Sequence, residues 1–254
     1  MQDLKIVVPA YNEEASIAAV FQRIKNACPE AEIIVVDDAS TDSTAAIVKG
    51  LSMTVVGNPK NCGKGGATKV GFTHKLHEGI KYLAFIDADN TYPPERFPEL
   101  YRLCKEQNID LAVGSRFLGK NEGMPRMRKI GNKIFAVMLS FYSGTKTTDT
   151  STGMRVFNVQ LLDKVLPLPD GLDFDTAMTA MVLFNGIGYA EVPIDYHERR
   201  GESKLNNIRD GYRFLRVIMN ATRKHRPFLF YFTLGLPFIA IETILGLYTS
   251  PHRK

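Results

Sequence analysis

Four short apolar runs, each ending abruptly in a polar cluster, constrain this chain more than any other feature. They are Leu4–Val8, Glu32–Val36, Thr54–Gly57 and Leu83–Ile86. Runs of this length, rich in β-branched and large apolar residues and bounded by turn formers, read as buried strands. Helical patterns separate them. AYNEEASIAAVFQRI starts a helix at Asn12 or Glu13, with Ile17, Val20, Phe21 and Ile24 at helical spacing. Thr44–Leu51 reads as a second helix, and NCGKGG at 61–66 opens a third that continues to about Gly79. The alternation βαβαβαβ implies an α/β fold: a mostly parallel, Rossmann-like sheet with helices on both faces. Later strands are expected at Leu111–Val113 and Gly188–Ile194.

Ligands of such sheets bind beyond the carboxyl ends of the strands. The unusual polar clusters fall there: Pro9–Glu14, Asp37–Thr44, Asn61–Gly66 and Asp87–Asp89. In LAFIDADNTYPP, the strand stops at Asp87, Asp89 follows at the alternate position, and Pro93 and Pro94 prevent further regular structure. Two carboxylates aimed at one point are costly without a cation. Mg²⁺ or Mn²⁺, with positions left for phosphate oxygens, is the natural guest. The plainer alternative is a solvated pair capping a turn. Asp38 can accept hydrogen bonds from a nucleobase or ribose, whereas Asp42–Thr44 suit helix capping. Glycines before a helix suit a phosphate cradle. However, neither G-x-x-x-x-G-K-[ST] nor a G-x-G-x-x-G after the first strand is present, which argues against a P-loop NTPase and a dehydrogenase. Lys64 either approaches a nucleotide or is a solvated first-turn lysine. Arg116, after Leu111–Val113, either clamps a phosphate or pairs with a neighbouring acid.

Taken together, VVPAYNEE, VVDDASTDST, NCGKGGATKVG, IDADNTYPPE and VGSRF resemble the family-2 nucleotide-sugar glycosyltransferases with the GT-A fold, over about residues 4–210. The later motifs look most like the dolichol-phosphate mannose synthase and polyprenyl-phosphate glycosyltransferase branch. The resemblance implies inverting, metal-dependent transfer of a hexose from a nucleotide-sugar of the GDP-mannose or UDP-glucose type to dolichyl or polyprenyl phosphate. It implies that Pro9, Tyr11, Glu13 and Asp38 hold the nucleoside, and that Asp87 and Asp89 hold Mg²⁺ or Mn²⁺ on the diphosphate. Mannose synthases of this type often carry Gln two residues after the second Asp. This chain has Thr91 there, so the donor sugar is not fixed by the likeness.

In TTDTSTGMRVFN, Asp149, Ser151, Gly153 and Arg155 match a family pattern. By that likeness Ser151 and Arg155 bind acceptor phosphate, or Arg155 pairs with Asp149 and shapes the loop. YHERRGESKLNN resembles an R-x-G-x-S-K segment, in which Arg199 (rather than Arg200), Ser203 and Lys204 bind phosphate. The resemblance also favours the phosphate clamp for Arg116. His197 reads as solvated rather than as a metal neighbour. Asp173 and Asp175 are candidate general bases. A phosphate acceptor is already largely ionised, so transfer to it needs no strong base, and Asp175 is expected to position. A hydroxyl acceptor would make that pair indispensable. This alternative and a non-catalytic nucleotide-sugar-binding scaffold both stay open.

The remaining signals concern lipid. Lys120, Arg126, Arg128, Lys129 and Lys133 precede or enter an apolar helix containing Ile134, Phe135, Val137, Met138, Leu139 and Phe141. That pattern suits an anionic lipid surface or an ordinary amphipathic helix. Phe228–Tyr248 carries a single charge, Glu242; at about 1.5 Å per residue it is long enough for a roughly 30 Å bilayer core. Arg223, Lys224 and Arg226 lie before it, and Arg253 and Lys254 after it. The expected organisation is therefore a GT-A domain over 1–210, a basic helix or linker over 211–226, a transmembrane helix over 227–249 and a short tail over 250–254. The catalytic domain would be cytoplasmic, and the last helix could serve oligomerisation. The net charge of +5 fits an anionic partner. Nucleic acid is disfavoured, because basic and aromatic residues are not interleaved on one element. Cys28, Cys62 and Cys104 are odd in number and far apart, which indicates neither a zinc site nor a disulfide framework.

Overall fold

The computed structural model describes residues 1–51, 54–199 and 206–249, without the side chains of 237, 239, 240 and 242–249. Its strands are β1 (Leu4–Ala10), β2 (Glu32–Asp37), β3 (Thr54–Gly57), β4 (Tyr82–Ile86), β5 (Leu111–Ser115), β6 (Met154–Asn158) and β7 (Tyr189–Pro193). Among the described residues they form one sheet in the order β3-β2-β1-β4-β6-β5-β7. The pairs β2/β3, β1/β2, β1/β4 and β5/β7 are parallel, so the expected α/β architecture holds. β6 runs antiparallel between β4 and β5. Sequence order alone would have made those two neighbours. The inserted strand, MRVFN, carries Arg155 fully buried at its second position, and that charge hides it from any reading based on apolar runs.

Helices cover both faces. α1 (Ile17–Ala27), α2 (Thr44–Gly50) and α4 (Phe97–Glu106) pack on one side through Ile17, Val20, Ile24, Val48, Phe97 and Leu100. α3 (Gly63–Thr73), α6 (Leu161–Val165) and α7 (Phe174–Phe184) pack on the other through Phe72, Leu161, Phe174 and Met178. There Phe72 meets Phe157 edge-on, with ring centroids 5.2 Å apart, and Phe174 meets Phe85 at 5.6 Å. α5 (Arg126–Ser143) and α8 (Asn207–His225) add an outer layer over α7, burying Leu139, Ala180, Leu183, Ile218 and Ala221 together. The stretch 211–226, read from sequence as a helix or linker leading out of the domain, thus lies mostly within α8.

Two element boundaries differ from expectation. The first helix starts at Ile17 rather than at Asn12 or Glu13. Asn12 takes a positive φ of 52°, and the amides of Asn12, Glu13 and Glu14 donate to Ser40, Thr44 and Asp42 instead of entering a helix. The tertiary staple between two loops outcompetes helix continuation there. The third helix ends at Thr73, not near Gly79.

Residues 227–249 do form a helix, α9 (Pro227–Thr249). However, among the described residues no helix is long and apolar enough to cross a membrane. The expected helix over 227–249 is present, and its expected membrane-spanning role is not shown among the described residues. Part of the apolar run is turned to the domain, where the Thr233 and Tyr142 hydroxyls lie 3.2 Å apart.

Two outcomes follow from this packing. Phe72→Ala removes a ring that is 1% exposed and shared by three aromatic neighbours. Denaturant unfolding should show a loss of about 3–5 kcal/mol. Burial pushes the Cys28 thiol up to about 11 and the Cys104 thiol up to about 12. At pH 8 only the half-buried Cys62 should react readily with iodoacetamide in the native protein, and all three thiols once it is unfolded. Rapid native labelling of Cys104 would contradict the packing described.

Candidate active site

The carboxyl ends of β1, β2 and β4 and the N-terminus of α3 border a cavity of about 650 Å³, which extends between α5 and α8. Of the residues singled out from sequence, Pro9, Tyr11, Glu13, Asp38, Lys64, Asp87, Asp89, Arg116, Ser151, Asp175 and Arg199 line it. Arg200, Ser203 and Lys204 lie outside the described residues.

Two cations tie the acidic floor together. The Lys64 ammonium, projecting from the first turn of α3, sits 2.6 Å from Asp87 Oδ1 and 2.6 Å from Asp175 Oδ2. Burial works against its charge, but the two carboxylates prevail and hold its pKa above the ordinary lysine value. Lys64 is therefore a fixed part of the site rather than a solvated lysine. Asp175, 2% exposed, keeps its Oδ1 without a hydrogen-bond partner among the described residues. Burial raises its pKa, and Lys64 and Arg155 oppose that only in part. Arg199 bridges the second pair, with Nη1 3.0 Å from Asp89 Oδ2 and Nη2 on Glu13.

Asp89 is further oriented by Thr91, whose amide and hydroxyl donate to Oδ1 at 3.1 and 2.6 Å. The residue that departs from the mannose-synthase pattern thus serves the second Asp directly. Even so, burial and the charge of Asp87 hold the Asp89 carboxyl above its ordinary value, against Thr91 and Arg199. The pair remains short of positive charge, which is the condition a divalent ion relieves. Among the described residues no group of three or more His, Cys, Asp and Glu is arranged around one metal position. An ion held by Asp87 and Asp89 would have to complete its shell with water and phosphate oxygens, as Mg²⁺ and Mn²⁺ commonly do. The exposed side chain of His197 is consistent with solvation, while its amide donates to the Thr91 carbonyl.

Asp38 has a bracing role. Its carboxylate accepts from Asn58 Nδ2 at 2.7 Å and from the amides of Cys62 and Gly63, both at 2.9 Å. It thereby caps the N-terminus of α3, where a negative charge is favoured, and sets the base of Lys64. Asp42 Oδ1 accepts from the Thr44 amide, as expected of a capping residue.

Arg116 resolves as both clamp candidate and ion pair. Its Nε and Nη2 lie 2.7 and 2.6 Å from the Asp149 carboxylate, and Nη2 also reaches Ser151 Oγ at 3.2 Å. The rings of Tyr92 and Tyr196 lie 5.9 and 5.5 Å from its guanidinium carbon. Nη1 is left without a partner among the described residues, in a side chain that lines the cavity. Arg155 departs from both roles considered for it. It is fully buried beneath the floor, donates to the carbonyls of Thr150 and Thr152, and does not line the cavity. Asp173 does not line it either. Sequence reasoning missed Tyr92, Tyr196 and Asn132, the last of which accepts from Ser151 at 3.0 Å. The aromatic positions in NTYPP and IDYHERR were the only local signal.

The other end of the cavity is mostly apolar, with Arg128, Asn132 and Asn207 as its polar members. Met124, Met127, Ile130, Ile134 and Phe135 line it from α5 and the loop before it, and Ile208 and Phe214 from α8.

The model of the family described as "Glycosyl transferase family 2" matches residues 5–166. Polyprenol monophosphomannose synthase of Mycolicibacterium smegmatis is 33% identical, over 81% of this chain and 82% of that protein. Dolichyl-phosphate hexose transferase of Haloferax volcanii is 31% identical, over 82% and 89%. Undecaprenyl-phosphate mannosyltransferase of Micrococcus luteus is 31% identical, over 85% and 91%. The crystal structure of glucosyl-3-phosphoglycerate synthase from Mycobacterium tuberculosis, solved with Mn²⁺, UDP-glucose and phosphoglyceric acid, superposes with a TM-score of 0.68 at 21% identity. It covers 86% of this chain and 79% of its own. That likeness shows a shared GT-A-like fold.

Gly153 offers a direct test of the floor. Its amide donates to Tyr92 Oη, and a Cβ at this position would run into the Asp87 carboxylate, which Lys64 holds in place. In Gly153→Ala, the melting-temperature gain on adding Mn²⁺ with a nucleoside diphosphate should fall by at least half, while the unliganded protein melts within a few degrees of the parent.

Proposed function

The chain belongs to glycosyl transferase family 2, and on that premise we propose that it transfers a single hexose from a nucleotide-sugar to a polyprenyl or dolichyl phosphate, with inversion at the anomeric carbon. That it is a glycosyltransferase follows from the family and from relatives named as dolichyl-phosphate hexose transferase and polyprenol monophosphomannose synthase. The observation that carries the acceptor assignment is the continuity of the cavity. One end is lined by Asp87, Asp89, Lys64, Arg116 and Arg199, and the other by mostly apolar side chains of α5 and α8, with Arg128 and Asn207 among them. A phosphate on a long apolar chain matches both ends at once.

In this reading the nucleoside lies near Pro9, Tyr11, Glu13 and Asp38. Asp87 and Asp89 would hold Mg²⁺ or Mn²⁺, which when bound supplies positive charge to the departing diphosphate. Arg199 exchanges its bridge to Asp89 and Glu13 for the diphosphate oxygens, with Ser203 and Lys204 following it in the chain. Arg116 and Ser151, beside Asn132 of α5, receive the acceptor phosphate. A phosphate oxygen then attacks the anomeric carbon, and the bond to the nucleoside diphosphate breaks. The acceptor is already ionised, so no side chain has to remove a proton. Asp175 fits this chemistry as the anchor of Lys64. Its Oδ2 is committed to the Lys64 ammonium at 2.6 Å, which suits an anchor.

Bilayer contact is part of the proposal. Met127, Ile130, Ile134, Val137 and Phe141 of α5 and Ile208 and Tyr212 of α8 are exposed, as are Phe228 and Tyr231 of α9. Basic residues flank them: Arg126, Lys129 and Lys133 on α5, and Arg223 and Lys224 at the end of α8. This surface suits the cytoplasmic face of an anionic membrane, where the acceptor would be met.

The test uses purified protein with Mn²⁺, radiolabelled GDP- and UDP-sugars and a polyprenyl phosphate. Label should enter the organic phase with one donor, and Asp89→Ala should reduce that transfer at least 100-fold. Donor hydrolysis without lipid product would instead select a hydroxyl acceptor. Absence of turnover with every donor would select a binding scaffold.

A further inference from the structure

Glu191 lies on β7 opposite Val113 of β5, one strand away from the Ser115–Arg116 turn. Neither the family motifs nor the cavity lining includes it. Its carboxylate nevertheless gathers five donor groups among the described residues. Oε1 accepts from Thr147 Oγ1 at 2.8 Å, Tyr189 Oη at 2.7 Å, the Thr148 amide at 2.8 Å and the Asp149 amide at 3.3 Å. Oε2 accepts from Thr148 Oγ1 at 2.5 Å and from the Thr148 amide at 3.1 Å. Thr148 Oγ1 also lies 2.6 Å from Ser115 Oγ.

The segment so collected, Thr147–Asp149, follows the left-handed Gly144 that ends α5, and no helix or strand holds it. Its last residue is the one that fixes Arg116. Asp149 is fully buried and spends both oxygens on the guanidinium, and Oδ2 also accepts the Arg116 amide at 3.1 Å. The order of dependence runs from Glu191 to the 147–149 backbone, to Asp149 and then to Arg116.

We propose that Glu191 is a positioning residue: it shapes the 147–149 loop so that Asp149 turns Arg116 Nη1 toward a phosphate-bearing substrate in the cavity. The proposal rests on the reading of Arg116 as a phosphate ligand. The chemistry explains why a carboxylate is needed. Backbone amides and hydroxyls converge on it from one loop, and a charged acceptor strengthens each of these bonds. Gln in its place turns an NH₂ toward groups that must donate. Burial, and after it the Glu191 charge, push the Tyr189 phenol well above its ordinary value, so it stays a donor to this carboxylate.

The experiment compares Glu191→Gln, Thr148→Val and Asp149→Asn with the parent. Arginine Nε–H resonances are recorded on ¹⁵N-arginine protein, with Arg116 assigned through Arg116→Lys, and KM and kcat are measured for polyprenyl phosphate. Thr148→Val serves as the milder variant should Glu191→Gln fail to fold. The expected result is loss of the slowly exchanging Arg116 Nε–H signal and an acceptor KM raised about tenfold, with kcat within twofold. In Glu191→Gln with Asp149→Asn, the effects should be no larger than in Asp149→Asn alone. A shifted Arg116 signal with an unchanged acceptor KM would uphold the positioning role and remove Arg116 from the acceptor site. Variants that melt lower but keep the Arg116 signal and the acceptor KM would overturn the proposal, leaving Glu191 a purely structural residue.

Discussion

The structure depends on how repulsion among carboxylates gathered at one edge of the sheet is contained. Asp38, Asp87, Asp89, Asp149 and Asp175 converge there, all but Asp87 less than a tenth exposed. Unpaired charges at such depth would be prohibitive. Each is answered by a dedicated donor: the α3 amides for Asp38, Lys64 for Asp87 and Asp175, Thr91 and Arg199 for Asp89, and Arg116 for Asp149. The Asp149 carboxylate is matched by a bidentate guanidinium, whereas burial holds the carboxyls of Asp89 and Asp175 above the ordinary value.

This division separates scaffold from chemistry. The Arg116–Asp149 pair is bidentate, buried and enclosed by two tyrosine rings, so it behaves as a rigid part. The bridge from Arg199 to Glu13 and Asp89 is different. It comes from the stretch that follows β7, and its Nε is buried without a hydrogen-bond partner among the described residues. In the proposed function, a side chain held by two acids and unsatisfied at one nitrogen would be drawn off by an incoming diphosphate at modest cost. The mostly apolar walls from α5 and α8 then continue the same cavity away from the charge, so in the proposed function lipid recognition would fall to a helix layer that the sheet itself does not need.

Much of this was legible in the residues. The strand ends, the acid pair at Asp87 and Asp89 and the glycine-led helix at Lys64 are local patterns, and local patterns survive folding when the sheet is parallel and its loops are short. The order β4-β6-β5 was not legible, because β6 hides a buried arginine in a strand of five residues. Nor was the fate of Arg155, which sequence spacing brings to the loop but the antiparallel register of β6 turns beneath the floor.

What the sequence determined by itself was therefore the class of fold and the edge that carries the site, since both follow from periodicity and turn chemistry within a dozen residues, while Pro9, Tyr11, Glu13 and Arg199 were marked only by the family likeness. Tertiary structure alone decided which charge answers which. Lys64 and Asp175 are 111 positions apart, and Arg199 and Glu13 are 186 apart. Pairings over such separations are set by strand order and helix packing, which no local pattern encodes. The same holds for Glu191, whose carboxylate looks ordinary in the sequence and matters only because β7 lies beside β5 and the 147–149 loop closes over it.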